Sequence, residues 1–198
     1  MISEEKEAYY TYLSVKYDET IKEDDFIIID IGGGSTEIIT GNNNGLFDFV
    51  TLPVGSVKLT EMFVKHNPPL ESELFLLEDH VKSLLKEIPF DGRKKILIGT
   101  AGTITTLAAI VLDLDIFDKD RIHTLKISLL KIDMVIDSIR KIEISRRSSI
   151  KGMEQGREDI LLQGIILLRE IMLYFGADHV TVSVKGGRYG VLHDRLTL

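Results

Sequence analysis

The stretch FIIIDIGGGSTEII, residues 26–39, decides how the rest of the chain reads. An unbroken apolar segment runs into Asp30, then three glycines, a hydroxyl pair and a second carboxylate, Glu37. Phe26–Ile31 has the length and apolar character of a buried strand, and Glu37–Thr40 reads as its return strand. Gly32, Gly33 and Gly34 each cost backbone entropy on folding, so a run of three implies that something approaches the backbone closely. Folding the hairpin brings Asp30 and Glu37 to one rim.

Working outward, GNNNG at 41–45 is a second turn of residues that tolerate positive φ. Phe47, Phe49, Val50 and Leu52 then mark a third strand. Upstream, SEEKEAYYTYLSV at 3–15 opens with Ser followed by acids, a helix N-cap signal. That helix is expected to pass into a strand near Leu13–Tyr17, before a polar turn at Glu23, Asp24 and Asp25. Downstream, helical patterns cover 57–65, the low seventies to high eighties, 130–139 and a long amphipathic stretch at 157–175. Strands are expected at 95–98, 123–127 and 180–184. Two successive hairpins followed by helix–strand crossovers specify an α/β domain. Its mixed sheet is expected to have five strands, in the order 3-2-1-4-5, with helices on both faces.

Three glycine-rich turns each follow an expected strand: IGGGST at 31–36, GTAGT at 99–103 and KGGRYG at 185–190. In open α/β sheets ligands gather at such strand ends. Glycines there let backbone N–H groups face an anion, and a following helix adds its N-terminal dipole. The candidate phosphate contacts are Gly32, Gly33, Gly34, Ser35 and Thr36; Gly99, Thr100, Gly102 and Thr103; and Gly186, Gly187 and Arg188. Asp30 and Glu37 beside such a cradle suit Mg²⁺ or Mn²⁺, held by carboxylates, water and phosphate oxygens. Taken singly, each feature has a plainer reading. GGG is commonly a hairpin or bulge, GTAGT a helix cap, KGGR a loop, Asp30 a turn residue and Glu37 a solvated strand position. Three such turns at the strand ends of one sheet favour phosphate, without choosing among kinase, ATPase and phosphatase.

The 198 residues suffice for one large domain or a domain and a half, and 44% hydrophobic with 28% charged residues is ordinary for a globular protein. A net charge of −7 argues against a nucleic-acid reader. With no cysteine there is no disulfide framework and no thiolate chemistry, which fits a cytoplasmic setting. The longest apolar runs, such as ILLQGIILL, are shorter than a membrane span, so no membrane partner is expected.

DIGGGSTE (30–37), LPVGSVKLTE (52–61), GTAGTITTLA (99–108), REDILLQG (157–164) and GGRYGVL (186–192) occur in one order. In that order they resemble the exopolyphosphatase/guanosine pentaphosphate phosphatase (Ppx/GppA) family over essentially the whole chain. The resemblance implies a ribonuclease H-like, actin-like ATPase fold. It also implies metal-dependent removal of the terminal phosphate from inorganic polyphosphate or guanosine pentaphosphate. ISEEKEAYYTYLSV resembles the family segment that carries the catalytic glutamate, and its Glu-Ala pair aligns that role with Glu7. Read on its own, Glu7 is one of several acids at a solvated helix start. Asp30 and Glu37 match the family's metal-holding acids. Arg157 and Arg188 match basic positions, which implies phosphate contact, with a surface or interdomain ion pair as the alternative for each. Lys58 stands where many relatives have Arg, keeping the charge without the bidentate fork.

Two departures qualify the resemblance. No copy of the family's first phosphate loop, DLGSNS-like, is found. Residues 1–22 therefore read as a remnant of a first domain and its crossover, and 23–198 as the second actin-like domain. The last turn reads SVKGGRYG where relatives read like SDxGLREG, so Val184 and Tyr189 replace acids. A non-catalytic phosphate- or alarmone-binding module, or half of a split enzyme, is the alternative. A separate N-terminal domain or a homodimer would be its partner.

Overall fold

The computed structural model describes residues 3–22, 24–91 and 96–196. β1 (Asp25–Ile31) is the middle of the architecture, because its side chains are buried on both faces. Ile27, Ile29 and Ile31 enter the larger apolar layer, while Phe26 and Ile28 enter a second layer behind the sheet. Each fully buried side chain of this kind contributes about 1.5–3 kcal/mol relative to exposure. β1 pairs antiparallel with β2 (Thr36–Asn42), which pairs antiparallel with β3 (Leu46–Leu52). On its other side β1 runs parallel to β4 (Ile96–Thr100).

The sheet is completed by β5 (Lys126–Ser128) and β6 (His179–Val182) in the order β3-β2-β1-β4-β6-β5. This corrects the expected five strands and the 3-2-1-4-5 order. The last strand in the chain inserts beside β4, and the three-residue β5 pairs antiparallel outside it. An edge strand that short carries too little periodicity to place its neighbour.

The larger layer holds α2 (Ser56–Phe63), α3 (Glu71–Leu85), α4 (Ala101–Val111), α6 (Leu129–Ile139) and α8 (Leu161–Phe175). Short helices α5 (Lys119–Ile122) and α7 (Ile144–Arg147) lie in the connections. α8 is buried on nearly every side rather than amphipathic, and it starts at Leu161, not at Arg157. Gly176, in the left-handed region at φ 67°, ends it.

The opposite layer is α1 (Glu4–Lys16), packed on Phe26, Ile28, Ile39 and Ile98, with α9 (Gly187–Leu196) against it. Ser3 caps α1 by accepting from the Lys6 N–H at 3.4 Å. The strand expected near Leu13–Tyr17 is instead the end of this helix: Ala8, Tyr12 and Val15 share its buried face at helical spacing. Gly190 allows α9 to sit directly on α1, since a Cβ there would lie 1.8 Å from the Tyr10 carbonyl oxygen. Lys95, the expected start of β4, and Glu23 of the polar turn lie outside the described residues. Among the described residues no helix is long and apolar enough to cross a membrane.

β1, β4 and β6 are parallel, so their C-terminal ends share one edge of the sheet. All three glycine-rich turns leave from that edge.

Candidate active site

The first turn is a tight hairpin in which Gly32 N donates to the Ser35 carbonyl at 3.0 Å. Its register sets Asp30 directly opposite Glu37 and Ile31 opposite Thr36. Residues opposite each other in an antiparallel pair project to the same face, so the two carboxylates are neighbours. The carbonyls of this turn are engaged on the far side. Gly32 O accepts from Ser56 N at 3.0 Å, and Gly33 O accepts from Val57 N at 3.0 Å and Lys58 N at 3.1 Å. The glycine hairpin thus caps α2, whose N-cap Gly55 has no side chain to do so. A Cβ on Gly55 would lie 2.4 Å from Gly32 O, so the LPVGS segment approaches the hairpin as only glycine can.

The second turn opens α4. Thr100 is its N-cap and makes no side-chain bond to the helix, so the first amides of this 11-residue helix have no side-chain cap. Ala101 adopts φ 68°, a left-handed conformation that costs a non-glycine residue about 1–3 kcal/mol and is characteristic of ligand-clamping turns. The third turn opens α9 at Gly187. The two turns are joined, because Thr100 Oγ1 donates to the Lys185 carbonyl at 3.3 Å.

α1, Asp30 at the end of β1 and the second and third turns line a cavity of about 670 Å³, within the usual range for small-molecule sites. Of the residues singled out in the sequence, Glu7, Asp30, Thr100, Gly102, Gly186, Gly187 and Arg188 line it. The others stand elsewhere. Gly32, Gly33, Gly34 and Ser35 form the hairpin beyond its wall. Thr36 donates its hydroxyl to the Val54 carbonyl at 2.8 Å. Gly99 lies inside β4 against Ile104 and Val180, and Thr103 is buried against Gly164. Tyr10, Thr11, Phe117 and Lys119 also line the cavity, and the sequence reading missed them. Tyr10 and Thr11 fall three and four residues after Glu7, the spacing of one helix face, which is the signal that could have found them. Phe117 and Lys119 sit in a segment with no motif. Val184 and Tyr189, the two departures from the family pattern, face the same cavity.

Burial first, then Glu37 and Glu7, push the Asp30 carboxyl up to about 7. The Glu37 carboxyl is also raised, chiefly by burial, with a hydrogen bond from Ser35 opposing and Glu7 adding to the rise. Among the described residues no group of three or more His, Cys, Asp or Glu side chains is placed to hold a metal ion. Two adjacent, mutually repelling carboxylates, of which Asp30 stands in the cavity wall, are a donor set that suits Mg²⁺, which keeps places for water and phosphate oxygens. The residues present therefore fit such an ion.

Arg157 lies over the second turn: a Cβ on Gly102 would fall 1.7 Å from its Nη2. Its Nε is paired with Glu154, whose Oε2 also accepts from Thr106 Oγ1 at 3.0 Å.

The family model described as the Ppx/GppA phosphatase family matches residues 1–198. The chain belongs to the Ppx/GppA phosphatase family. A bifunctional 3-dehydroquinate synthase/phosphatase of Fusobacterium nucleatum is 35% identical over 96% of this chain, which covers 29% of that protein. Exopolyphosphatase 2 of Mycobacterium tuberculosis is 29% identical over 80% of the chain, covering 51% of that protein. The crystal structure of the Aquifex aeolicus Ppx/GppA family member superimposes with a TM-score of 0.93 at 31% identity. That match covers 99% of this chain and 63% of the other. An exopolyphosphatase from Cytophaga hutchinsonii, at 23% identity and a TM-score of 0.81, shares the fold. The chain spans less than two thirds of the length of each of these relatives. Its mixed sheet flanked by helices is the actin-like ATPase fold of its Ppx/GppA neighbours.

Proposed function

We propose that this chain forms one wall of a metal-dependent phosphohydrolase that removes the terminal phosphate from inorganic polyphosphate or guanosine pentaphosphate. One observation carries the reading: Glu7, Asp30, the uncapped start of α4 and the Gly186–Gly187 turn share one cavity. Membership of the Ppx/GppA phosphatase family supports it.

In this reading the α4 amides and the Gly186–Gly187 turn bind the phosphoryl oxygens and hold the phosphorus for in-line attack. The Glu7 carboxylate orients a water and accepts its proton as the oxygen bonds to phosphorus. The bond to the leaving phosphate oxygen breaks at the same centre. Arg188 and Lys119 offset negative charge at the cavity wall. Asp30 and Glu37 would hold Mg²⁺ or Mn²⁺, which when bound supplies positive charge against the phosphate oxygens. The setting expected for such a substrate is the cytoplasm.

The test is phosphate release with Mg²⁺ from polyphosphate and guanosine pentaphosphate in parallel, comparing wild type with Glu7→Gln. Release that the substitution abolishes is the expected result, and the preferred substrate names the branch. A second reading, a phosphate-binding module without turnover, is favoured by Val184 and Tyr189, which stand in the cavity wall where the family pattern has acids. Metal-dependent binding without release from wild type would support it.

A further inference from the structure

α1 carries Glu7 in its first turns, and just beyond its last turn lies Asp18, a carboxylate that the proposed mechanism does not use. Asp18 is 1% exposed. Its Oδ1 lies 3.0 Å from Lys185 Nζ. The same oxygen accepts from Thr20 N at 3.1 Å and Thr20 Oγ1 at 2.6 Å. Its Oδ2 lies 3.1 Å from His123 Nε2. The Val184 N–H donates to His123 Nδ1 at 3.4 Å, so a neutral imidazole carries its proton on Nε2, which lies 2.8 Å from Thr20 Oγ1, the hydroxyl that donates to Asp18. The segment that precedes Gly186–Gly187 is therefore gripped by Asp18 directly at Lys185 and, through the Thr20 hydroxyl and His123, at Val184.

The Lys185 backbone is a second junction. Its N–H donates to Ser183 Oγ at 3.1 Å. Its carbonyl lies 3.3 Å from Thr100 Oγ1, at the second glycine turn, and 3.1 Å from Ser14 Oγ, on α1. Nearer Glu7, a Cβ on Gly187 would be 3.2 Å from Thr11 Oγ1, and α9 rests on the Tyr10 carbonyl through Gly190. From Glu7 to Lys16, where α1 ends two residues before Asp18, the helix rises roughly 14 Å. The third turn is thus fixed to α1 at two well-separated points, which leaves it little freedom to rotate relative to the Glu7 carboxylate. A buried charge costs a great deal unless paired, so a pair in this place implies that its geometry matters.

We infer that Asp18 is a positioning residue, which through Lys185 holds the Gly186–Gly187 turn in register with the helix that carries Glu7. The inference rests on the phosphohydrolase reading for its functional consequence, but the mechanical coupling stands on its own geometry.

The test uses the full chain with Asp18→Asn, Lys185→Met and Lys185→Arg. Glu73→Gln is the control for general destabilisation, because Glu73 accepts the backbone N–H groups of Lys65 and Leu70 in the other helical layer. The first readout is amide hydrogen exchange at Gly186, Gly187 and Arg188 by NMR without ligand. Exchange is expected to speed up about tenfold or more in Asp18→Asn and Lys185→Met, to recover in Lys185→Arg and to be unchanged in Glu73→Gln. The second readout is Mg²⁺-dependent binding of inorganic polyphosphate by calorimetry, expected to weaken about tenfold in the same two variants and not in the control. If Asp18→Asn does not fold, Lys185→Met, which keeps the Thr20 and His123 contacts of Asp18, decides. Unchanged exchange at 186–188 in folded Lys185→Met overturns the inference. So does a Glu73→Gln control that behaves in the same way. A wild-type chain that binds no polyphosphate counts against the functional reading alone, since the exchange measurement does not need it.

Discussion

At Asp30 the structure balances stability against charge. The carboxylate is pushed up to about 7 by burial, Glu37 and Glu7, so its ionised form is costly until a cation relieves it. Asp30→Asn is expected to keep or raise the melting temperature while weakening Mg²⁺-dependent phosphate binding. Calorimetry with and without Mg²⁺ checks this, and undiminished metal-dependent affinity would refute the role. Gly55 is constrained by space instead. A Cβ would lie 2.4 Å from one backbone oxygen and 2.6 Å from another, neither of which can move without disturbing the glycine hairpin. Gly55→Ala is expected to cost about 1–3 kcal/mol in denaturant unfolding. Asp18 gives a pH signature. Burial raises its carboxyl, but hydrogen bonds from Thr20 and Lys185 and the charge of His123 outweigh that, and the net direction is down. A depressed carboxylate contributes stability that is fully present above its unfolded value, about 3.9. That contribution is lost as the pH falls through the folded value. The difference in melting temperature between wild type and Asp18→Asn should therefore shrink on acidification below about pH 4, and a constant difference would count against the pairing.

Between elements, the joints are made by backbone carbonyls. The hairpin carbonyls cap α2, and the Lys185 carbonyl links α1 with the ends of β4 and β6. Arg147 makes a third such joint. Though only 1% exposed, it donates from Nε to the Ile142 carbonyl at 3.0 Å and from Nη1 to the Glu158 carbonyl at 2.9 Å. It thereby ties the segment after α6 to the approach to α8, next to Arg157. Hydrogen bonds from a charged group contribute about 1.5–3 kcal/mol each, so Arg147→Met is expected to lose about 2–4 kcal/mol of stability. Chemical denaturation followed by circular dichroism measures this; a loss below about 0.5 kcal/mol, the size of an ordinary surface change, would deny Arg147 a clamping role.

Over the whole molecule, α8 is the packing centre of the larger layer, and Leu162 is fully buried within it. Leu162→Ala is expected to cost about 2–5 kcal/mol, read as an earlier denaturant midpoint with the slope unchanged. Much of the fold was legible in the chain. An apolar run ending in Asp30 and GGG fixes a strand and its hairpin, because buried strands and tight turns draw on few residue types. The same logic located the GTAG and KGG turns and most helices. The place of Glu7 in the cavity wall was legible only through family resemblance, since one acid among several at a helix start has no distinguishing pattern. Some features followed from tertiary structure alone: β6 between β4 and the edge strand, α1 as a helix to its end, α8 as a core helix, and the Asp18–Lys185 tie. Each depends on partners far apart in the chain, as Asp18 and Lys185 are. Periodicity and turn chemistry act over a few residues, so the sequence by itself determined the elements and the glycine turns that end them. Which element lies beside which, and hence which turns share a cavity with Glu7, was decided by the burial of both faces of one sheet.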